Sequence, residues 1–372
     1  MSVQPAGTFR DSAQTTDGST LQINKGHFSL DTDERTKAFG AKLAVGWEED
    51  YAEYRRLWVE LPKTRTVREY PLLLDLELAS LCNLKCPMCY TITPEFKSKV
   101  TKGFIDFALF RRIIDEVKNE VYSVRVSFRG EATLHPNFLD CVAYAKQAGV
   151  REVSTLTNGS KLRGDYFAAL VQAGIDWVTF SIDGTGETYE KIRRPIKFQQ
   201  IVDTLTEIRE YKENRGLAKP VIKVQGVWPA VRENPEEYYQ TFAPISDLVA
   251  FNPLIDYLRN DDEILYEDNF TCPQPYQRLV IGSDGRAMMC TNDEDGEIII
   301  GDANEQTIGE IWRGKPLQEM RERHHEDNGF KSLSPCRKCY YPRKAEVNES
   351  AVVDGRTILV ENYVNRPQAV GE

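Results

Sequence analysis

Apolar and charged positions alternate strictly from Leu72 to Ala79, with Leu74, Leu76 and Leu78 on one side and Asp75 and Glu77 on the other, the period of a strand. Asp106 then caps a predicted helix whose Leu109, Phe110, Ile113, Ile114 and Val117 recur at helical spacing. Val124, Val126 and Phe128 mark a second strand, followed by a helix that stops at Gly149. Val153 to Thr157 is a third strand, with a helix ending at Gly174. Trp177 to Asp183 is a fourth, backed by a helix carrying Ile201, Leu205 and Ile208. Val221 to Val227 and Asp247 to Asn252 are the fifth and sixth.

Repeated strand–helix units predict an α/β fold with a parallel sheet. Six units in about 180 residues are too few for a closed barrel of about 250, so an open, partial barrel is expected. Polar residues recur on one face (Asp75 and Glu77, Arg125 and Ser127, Ser181 and Asp183, Lys223 and Gln225), as the lining of a lumen with a polar ligand would require. Before the sheet, the first 25 or so polar residues read as disordered. Thr32 to Leu61 reads as one helix with Phe39, Leu43, Trp47, Tyr51, Tyr54 and Trp58 on a face, and Pro62 and Pro71 bracket a connector. After the sheet, Gln277 to Cys290 predicts a hairpin around Ser283-Asp284-Gly285, then a short helix with Ile308, Ile311, Trp312, Leu317 and Met320. The tail beyond Pro342 reads as irregular.

A chain of 372 residues has room for about two domains. Its net charge of −10 speaks against a general nucleic-acid binder or a protein that coats anionic membranes. No apolar run approaches about 18 residues, and the polar start lacks a basic segment followed by an apolar one. Neither membrane span nor signal peptide is therefore expected, and the chain is assigned to the cytoplasm. In that reducing compartment eight cysteines point to metal ligation rather than disulfides.

Three of them, Cys82, Cys86 and Cys89, lie in Leu81-Cys82-Asn83-Leu84-Lys85-Cys86-Pro87-Met88-Cys89-Tyr90, directly after the first strand. A zinc site or a structural cubane takes four protein ligands, whereas a [4Fe-4S] cluster held by three leaves one iron open. Zinc with a distant fourth ligand is the competing reading. The triplet, its strand and the motifs that follow resemble the radical S-adenosylmethionine superfamily. That resemblance implies a partial (β/α)6 TIM-like barrel and a [4Fe-4S] cluster on the triplet. It also implies S-adenosyl-L-methionine bound at the open iron and cleaved reductively to a 5′-deoxyadenosyl radical.

Further motifs carry the same resemblance. Met88 stands where the family usually has an aromatic residue, leaving Tyr90 to stack on adenine. Arg129-Gly130-Glu131, at the end of the second strand, resembles the family's Gly-Gly-Glu-Pro segment, which implies that Gly130 and Glu131 hold the cofactor's ammonium; Arg129 and Ala132 depart from it. Ser181 and Asp183 share a strand face, as ribose or carboxylate ligands need. In Tyr189-Glu190-Lys191-Ile192-Arg193 the arginine occupies the position that pairs with the cofactor carboxylate, with Arg194 as the alternative. Thr157 and Asn158 end the third strand in the corresponding place, and Gln225 is in reach of adenine.

Cys272, Cys290, Cys336 and Cys339 allow a zinc ribbon on spacing alone. Together with Pro273-Gln274-Pro275-Tyr276, Asp284-Gly285 and Ile311-Trp312 they resemble the C-terminal extension called SPASM or, when shorter, twitch. The full form usually holds two clusters on about seven cysteines; four imply one auxiliary [4Fe-4S] cluster, fully ligated and suited to moving an electron. Cys141 reads as a small apolar residue of a helix, His324-His325 as solvated, and His27 and His135 as lacking partners.

The expected layout is an N-terminal extension (1–70), partly disordered and then helical, a radical barrel (71–255), an auxiliary-cluster domain (256–342) and a tail (343–372). The resemblance implies a radical oxidoreductase that dehydrogenates a sugar, nucleotide sugar or aminocyclitol, in carbohydrate biosynthesis. A small-molecule substrate and a reducing partner such as flavodoxin or ferredoxin go with it, without nucleic acid or membrane. Glu77, Arg125, Lys223 and Asp256 are the candidates for positioning substrate or acting as base. The alternatives are a maturase of a ribosomally synthesised peptide (thioether, epimerisation or crosslink), which brings a peptide partner, and a zinc-binding scaffold.

Overall fold

All six predicted strands form: β1 (Leu73–Leu76), β2 (Ser123–Arg125), β3 (Glu152–Thr157), β4 (Trp177–Ser181), β5 (Val221–Val227) and β6 (Leu248–Asn252). They lie side by side in chain order and parallel, each joined to the next through helices, as an open partial barrel requires. The computed structural model describes residues 3–5, 7–8, 12–15, 20–254, 264–365 and 370.

The outer face of the sheet takes the helices. Phe107–Val117, for example, buries Phe110, Ile113, Ile114 and Val117, its cap Asp106 accepting from Leu109 N. Each such side chain contributes about 1.5–3 kcal/mol on full burial. The inner face is polar. Register sets Asp75 beside Arg125 and Arg125 beside Ser154, and Thr179 beside Lys223, so one level of the lumen collects charge.

The predicted hairpin also forms, as β7 (Arg278–Ile281) and β8 (Arg286–Met288), with β9 (Ile299–Asp302) after it. It does not stand apart. β7 pairs parallel with β1, Arg278 opposite Leu73, so the sheet runs β9-β8-β7-β1-β2-β3-β4-β5-β6 and continues into Phe28–Ser29 and Gly7–Thr8. Backbone hydrogen bonds therefore cross the expected domain boundary.

Four expectations change. The single N-terminal helix is two, α1 (Asp33–Ala44) and α2 (Glu48–Thr64), parted at Gly46, whose φ of +85° no helix accommodates. Pro62 lies in the last turn of α2 rather than in a connector. Their apolar face is as expected: Phe39, Leu43, Trp47, Tyr54 and Trp58 are buried, with Phe39 edge-on to Trp177 and Tyr54 stacked on Tyr122 beneath the barrel. In place of an unstructured start, Thr20–Gln22 pairs with Phe270–Thr271, and Leu21, Ile23 and Lys25 are buried. The tail is not irregular: β10 (Ala345–Val353) and β11 (Arg356–Tyr363) form a hairpin over Asp354-Gly355, both with positive φ. Among the described residues no helix is long and apolar enough to cross a membrane.

Candidate functional site

The chain leaves the top of β1 and folds residues 80–89 into a loop over the barrel mouth. A turn bond from Cys89 N to Cys86 O (2.9 Å) sets its shape. Cys86 is buried, Cys89 half-buried and Cys82 exposed. All three line one cavity of about 350 Å³ at the C-terminal strand ends, where parallel barrels carry their ligand contacts. Met88, Tyr90, Gly130, Glu131, Thr157, Asn158, Ser181 and Arg193 line it too, so most of the predicted cofactor residues come together.

Gly130 holds the loop against the sheet. A Cβ there would lie 2.3 Å from Ala79 O and 2.5 Å from Leu81 O, so no other residue fits. Beside it, buried Glu131 works as a clamp. Its Oε1 accepts from Thr133 Oγ1 (2.6 Å) and Thr157 Oγ1 (2.8 Å), and its Oε2 from Asn158 N (2.7 Å). Asn158 in turn donates to Asn83 Oδ1 (2.8 Å) on the cysteine loop.

Two predicted contacts sit behind the wall. Asp183 is buried, accepts from Val227 N (3.0 Å), and takes both Nε and Nη2 of Arg193 at 2.6 Å. It positions Arg193, which lines the cavity. Gln225 accepts instead from Lys223 Nζ, deeper in the barrel, and does not line the cavity.

The catalytic candidates are corrected more strongly. Glu77 is buried and fully engaged, accepting from Arg129 Nε (2.7 Å), Arg129 Nη2 (2.6 Å) and Ser283 N (3.0 Å). It ties β1 to the auxiliary hairpin and is no free base. Arg125 and Lys223 face a different, lower chamber of the lumen. Asp256 lies outside the described residues.

Cys272, Cys290, Cys336 and Cys339 form the second cluster of thiols, near enough that each of Cys272, Cys290 and Cys336 feels the charge of others in the set. Backbone N–H groups of Asn292 and Tyr341 reach Cys290 Sγ and Cys339 Sγ, each at 3.4 Å. His324 is buried, not solvated: its Nε2 lies 3.6 Å from Cys336 Sγ, and burial pulls its pKa to about 4, keeping it neutral. His325 stacks on Tyr276 and shares a hydrogen bond with its hydroxyl (2.6 Å). Cys141 is buried in its helix, as expected, with its thiol pushed up to about 12 by burial.

Burial likewise raises Cys86 to about 11, with Arg193 pulling the other way, and raises Cys339 to about 11. Thiols so disfavoured as anions need a metal's charge to ligate. Among the described residues no three His, Cys, Asp or Glu side chains gather closely enough for one ion. An iron–sulfur cube spreads its thiolates over separate corners. All-thiol donor sets, three beside a cavity and four gathered in the auxiliary region with Cys336 buried and the others half-buried, fit such clusters.

Phe128, Leu156, Val227, Asn252, Pro253, Leu254 and Glu294 also line the cavity and were missed. Asn252 ends the sixth strand and Pro253 follows it, so both were reachable from the strand-end rule. Glu294 comes from the auxiliary region, its carbonyl accepting from Arg129 Nη1 (2.9 Å), and no local pattern marks it.

Residues 76–223 match the family model of the Radical SAM superfamily, and residues 272–340 that of SPASM, an iron-sulfur cluster-binding domain. The chain is 32% identical over 147 residues to the tungsten-containing aldehyde ferredoxin oxidoreductase cofactor-modifying protein of Pyrococcus furiosus, a match covering 35% of this chain and 40% of that protein. The matched stretch thus spans less than half of this curated relative. Streptococcus suis SuiB bound to S-adenosylmethionine superposes with a TM-score of 0.53 at 13% identity, over 90% of this chain and 94% of that one. BtrN in complex with AdoMet and 2-DOIA gives 0.50 at 17% identity, over 74% and 94%. At these identities the solved structures speak for the fold.

Proposed function

From a chain that is a radical SAM superfamily enzyme with a SPASM domain, we propose oxidation of a sugar, nucleotide sugar or aminocyclitol at a carbinol carbon, with an electron passed to one auxiliary [4Fe-4S] cluster. Cys82, Cys86 and Cys89 would hold the cluster that binds S-adenosylmethionine, and Cys272, Cys290, Cys336 and Cys339 the auxiliary one. When bound, these groups supply a 5′-deoxyadenosyl radical and an electron acceptor.

The chain's own residues do the positioning. Glu131, with its hydrogen bonds to Thr157 and Asn158, orients the strand ends that face the cofactor's amino acid end. Arg193, braced by Asp183, offers its remaining N–H groups to a carboxylate. Ser181 stands at the wall for a ribose hydroxyl, and Met88 and Tyr90 for adenine.

The observation that carries the reading is the four-thiol auxiliary set beside a cavity whose wall it shares through Glu294. Four thiolates leave no iron for substrate, so the auxiliary cluster acts as an acceptor. An outer groove beside the cysteine loop, lined by Lys85, Lys191, Arg194 and Arg232, suits an acidic electron carrier such as flavodoxin or ferredoxin.

Incubating reduced enzyme with sugars and aminocyclitols deuterated at each carbinol carbon tests the proposal. Label in 5′-deoxyadenosine together with a ketone product is the expected outcome. Label taken from a peptide Cα would instead favour peptide maturation. Metal analysis after anaerobic purification should give about eight iron and eight sulfide per chain; zinc without sulfide would favour the scaffold.

A further inference from the structure

Beneath the cysteine cavity the lumen holds a second chamber of about 280 Å³, roughly the liquid volume of nine waters. Leu156 lines both spaces, so the two are neighbours along the barrel axis. Arg125, Lys223 and Arg278 reach the lower chamber from β2, β5 and β7, and Tyr54 and Trp58 of α2 close its floor.

Among the described residues the charges there do not balance. Buried Asp75 is, among those residues, the one carboxylate in ion-pair contact with these cations. It accepts from Arg278 Nε and Nη2, each at 2.7 Å. Arg125 Nε also lies 2.6 Å from it, but without the alignment of a hydrogen bond. Lys223 is 6% exposed, has Gln225 Oε1 as its hydrogen-bond partner, and among the described residues forms no ion pair. Glu152, a carboxylate in the chamber wall, accepts from Ser123 Oγ (2.7 Å), and burial pushes its pKa up, away from the ionised form. His27, at the same wall, is kept neutral, its pKa lowered to about 3 by burial and then by Lys223. A buried ammonium without a counter-ion costs several kcal/mol, a cost that a bound anion offsets.

We propose that this lower chamber binds the anionic end of the substrate, a phosphate or carboxylate on a ring-sized body, between Lys223 and Arg125 and above the aromatic floor. The inference rests on the reading of the upper cavity as the place where a sugar or cyclitol is oxidised. It narrows that class to anionic members, with the charged group held in the lower chamber and the ring reaching past Leu156.

Calorimetry on the reconstituted enzyme, without reductant, tests it with inorganic phosphate, glucose 6-phosphate, glucuronate and glucose. At least one anionic sugar should bind at least tenfold more tightly than glucose, the two arms telling phosphate from carboxylate. Lys223→Met and Arg125→Met should each weaken that binding at least tenfold. Lys223→Arg should retain most of it, and the exposed-surface variant Lys315→Met should bind as wild type. Circular dichroism and iron content identify any variant that fails to fold. Equal affinity for glucose and every anion, or unchanged affinity in folded Lys223→Met, would overturn the chamber assignment. Binding does not depend on turnover. Anion selectivity without label transfer from any sugar would leave the chamber assigned and defeat the oxidation reading, and the converse result would do the reverse.

Discussion

The two cysteine sites of this protein are built in opposite ways. Cys82, Cys86 and Cys89 share one loop at the mouth of the barrel, with Cys82 exposed and an adjoining cavity of about 350 Å³. The other four come from separate segments: the start of the auxiliary region, the loop just after β8, and a short helix with its cap some forty-six residues further on. Chain connectivity alone brings the first set together, whereas sheet pairing and packing must assemble the second. The difference suits their expected tasks: three thiols beside a cavity leave room for a cofactor to bind and leave, and four thiols leave no open iron on a cluster that only passes an electron. The two are nonetheless mechanically joined. β7 pairs with β1, and Glu77 of the barrel holds Arg129, whose other side bonds Glu294 of the auxiliary region.

The sharpest way to break this contrast is to remove one thiol from each site. Cys86→Ala should abolish 5′-deoxyadenosine formation, a loss of at least a thousandfold by chromatography. Cys336→Ala should leave uncoupled cleavage but no oxidised product. Equal loss in both would mean that the second site is not an electron acceptor.

A smaller effect separates them sterically. Gly130→Ala places a methyl against Ala79 O and Leu81 O, and the cysteine loop must move. Cofactor cleavage should fall about a hundredfold on general grounds of misplacement. Iron assigned to the auxiliary site should stay intact, as Mössbauer or EPR spectra would report.

The joint between the sites is tested by Glu77→Gln. Breaking its buried pair with Arg129 should cost about 3–5 kcal/mol in denaturant unfolding. It should also raise the ratio of cofactor cleaved to product formed. A loss of stability with that ratio unchanged would show that the ion pair braces the fold without coupling the sites.

The smallest effect lies in the lower chamber. Burial lowers the Lys223 pKa from 10.5 to about 8. Between those values the unfolded chain still holds a proton that the native state has released, so stability rises with pH across that window, by at most about 1.4 kcal/mol per unit. Below about pH 8 both states are protonated and the burial cost is felt in full. Arg125, Arg278, Asp75, Glu152 and His27 share the site. Denaturant midpoints of wild type should climb through the window, and those of Lys223→Met should lack that increment.

Much of the molecule was legible before its structure. The six strands and the triplet loop follow from alternation and from spacing within a few residues, and Asp106, Gly149 and Gly174 mark helix ends as read. The tail hairpin was readable as well, because Asp354-Gly355 is a strong turn signal between alternating segments. The break at Gly46 is subtler, since the apolar stripe runs through it from Phe39 to Trp58 and mimics one helix. Glu77 misled because a polar residue on the inner face of a strand looks the same whether it meets a substrate or an arginine. His324 misled because its charged neighbours suggested solvent, while its helix turns it against Cys336.

The sequence alone determined what short-range geometry controls: strand and helix periods, helix ends, and the three thiols of one loop. Only the tertiary structure decided that the auxiliary hairpin extends the barrel sheet, that α1 and α2 close its floor, and that Arg125 and Lys223 face a chamber below the cysteines. Those outcomes depend on contacts between residues far apart in the chain. Their free energy comes from burial and pairing that no local window of residues contains.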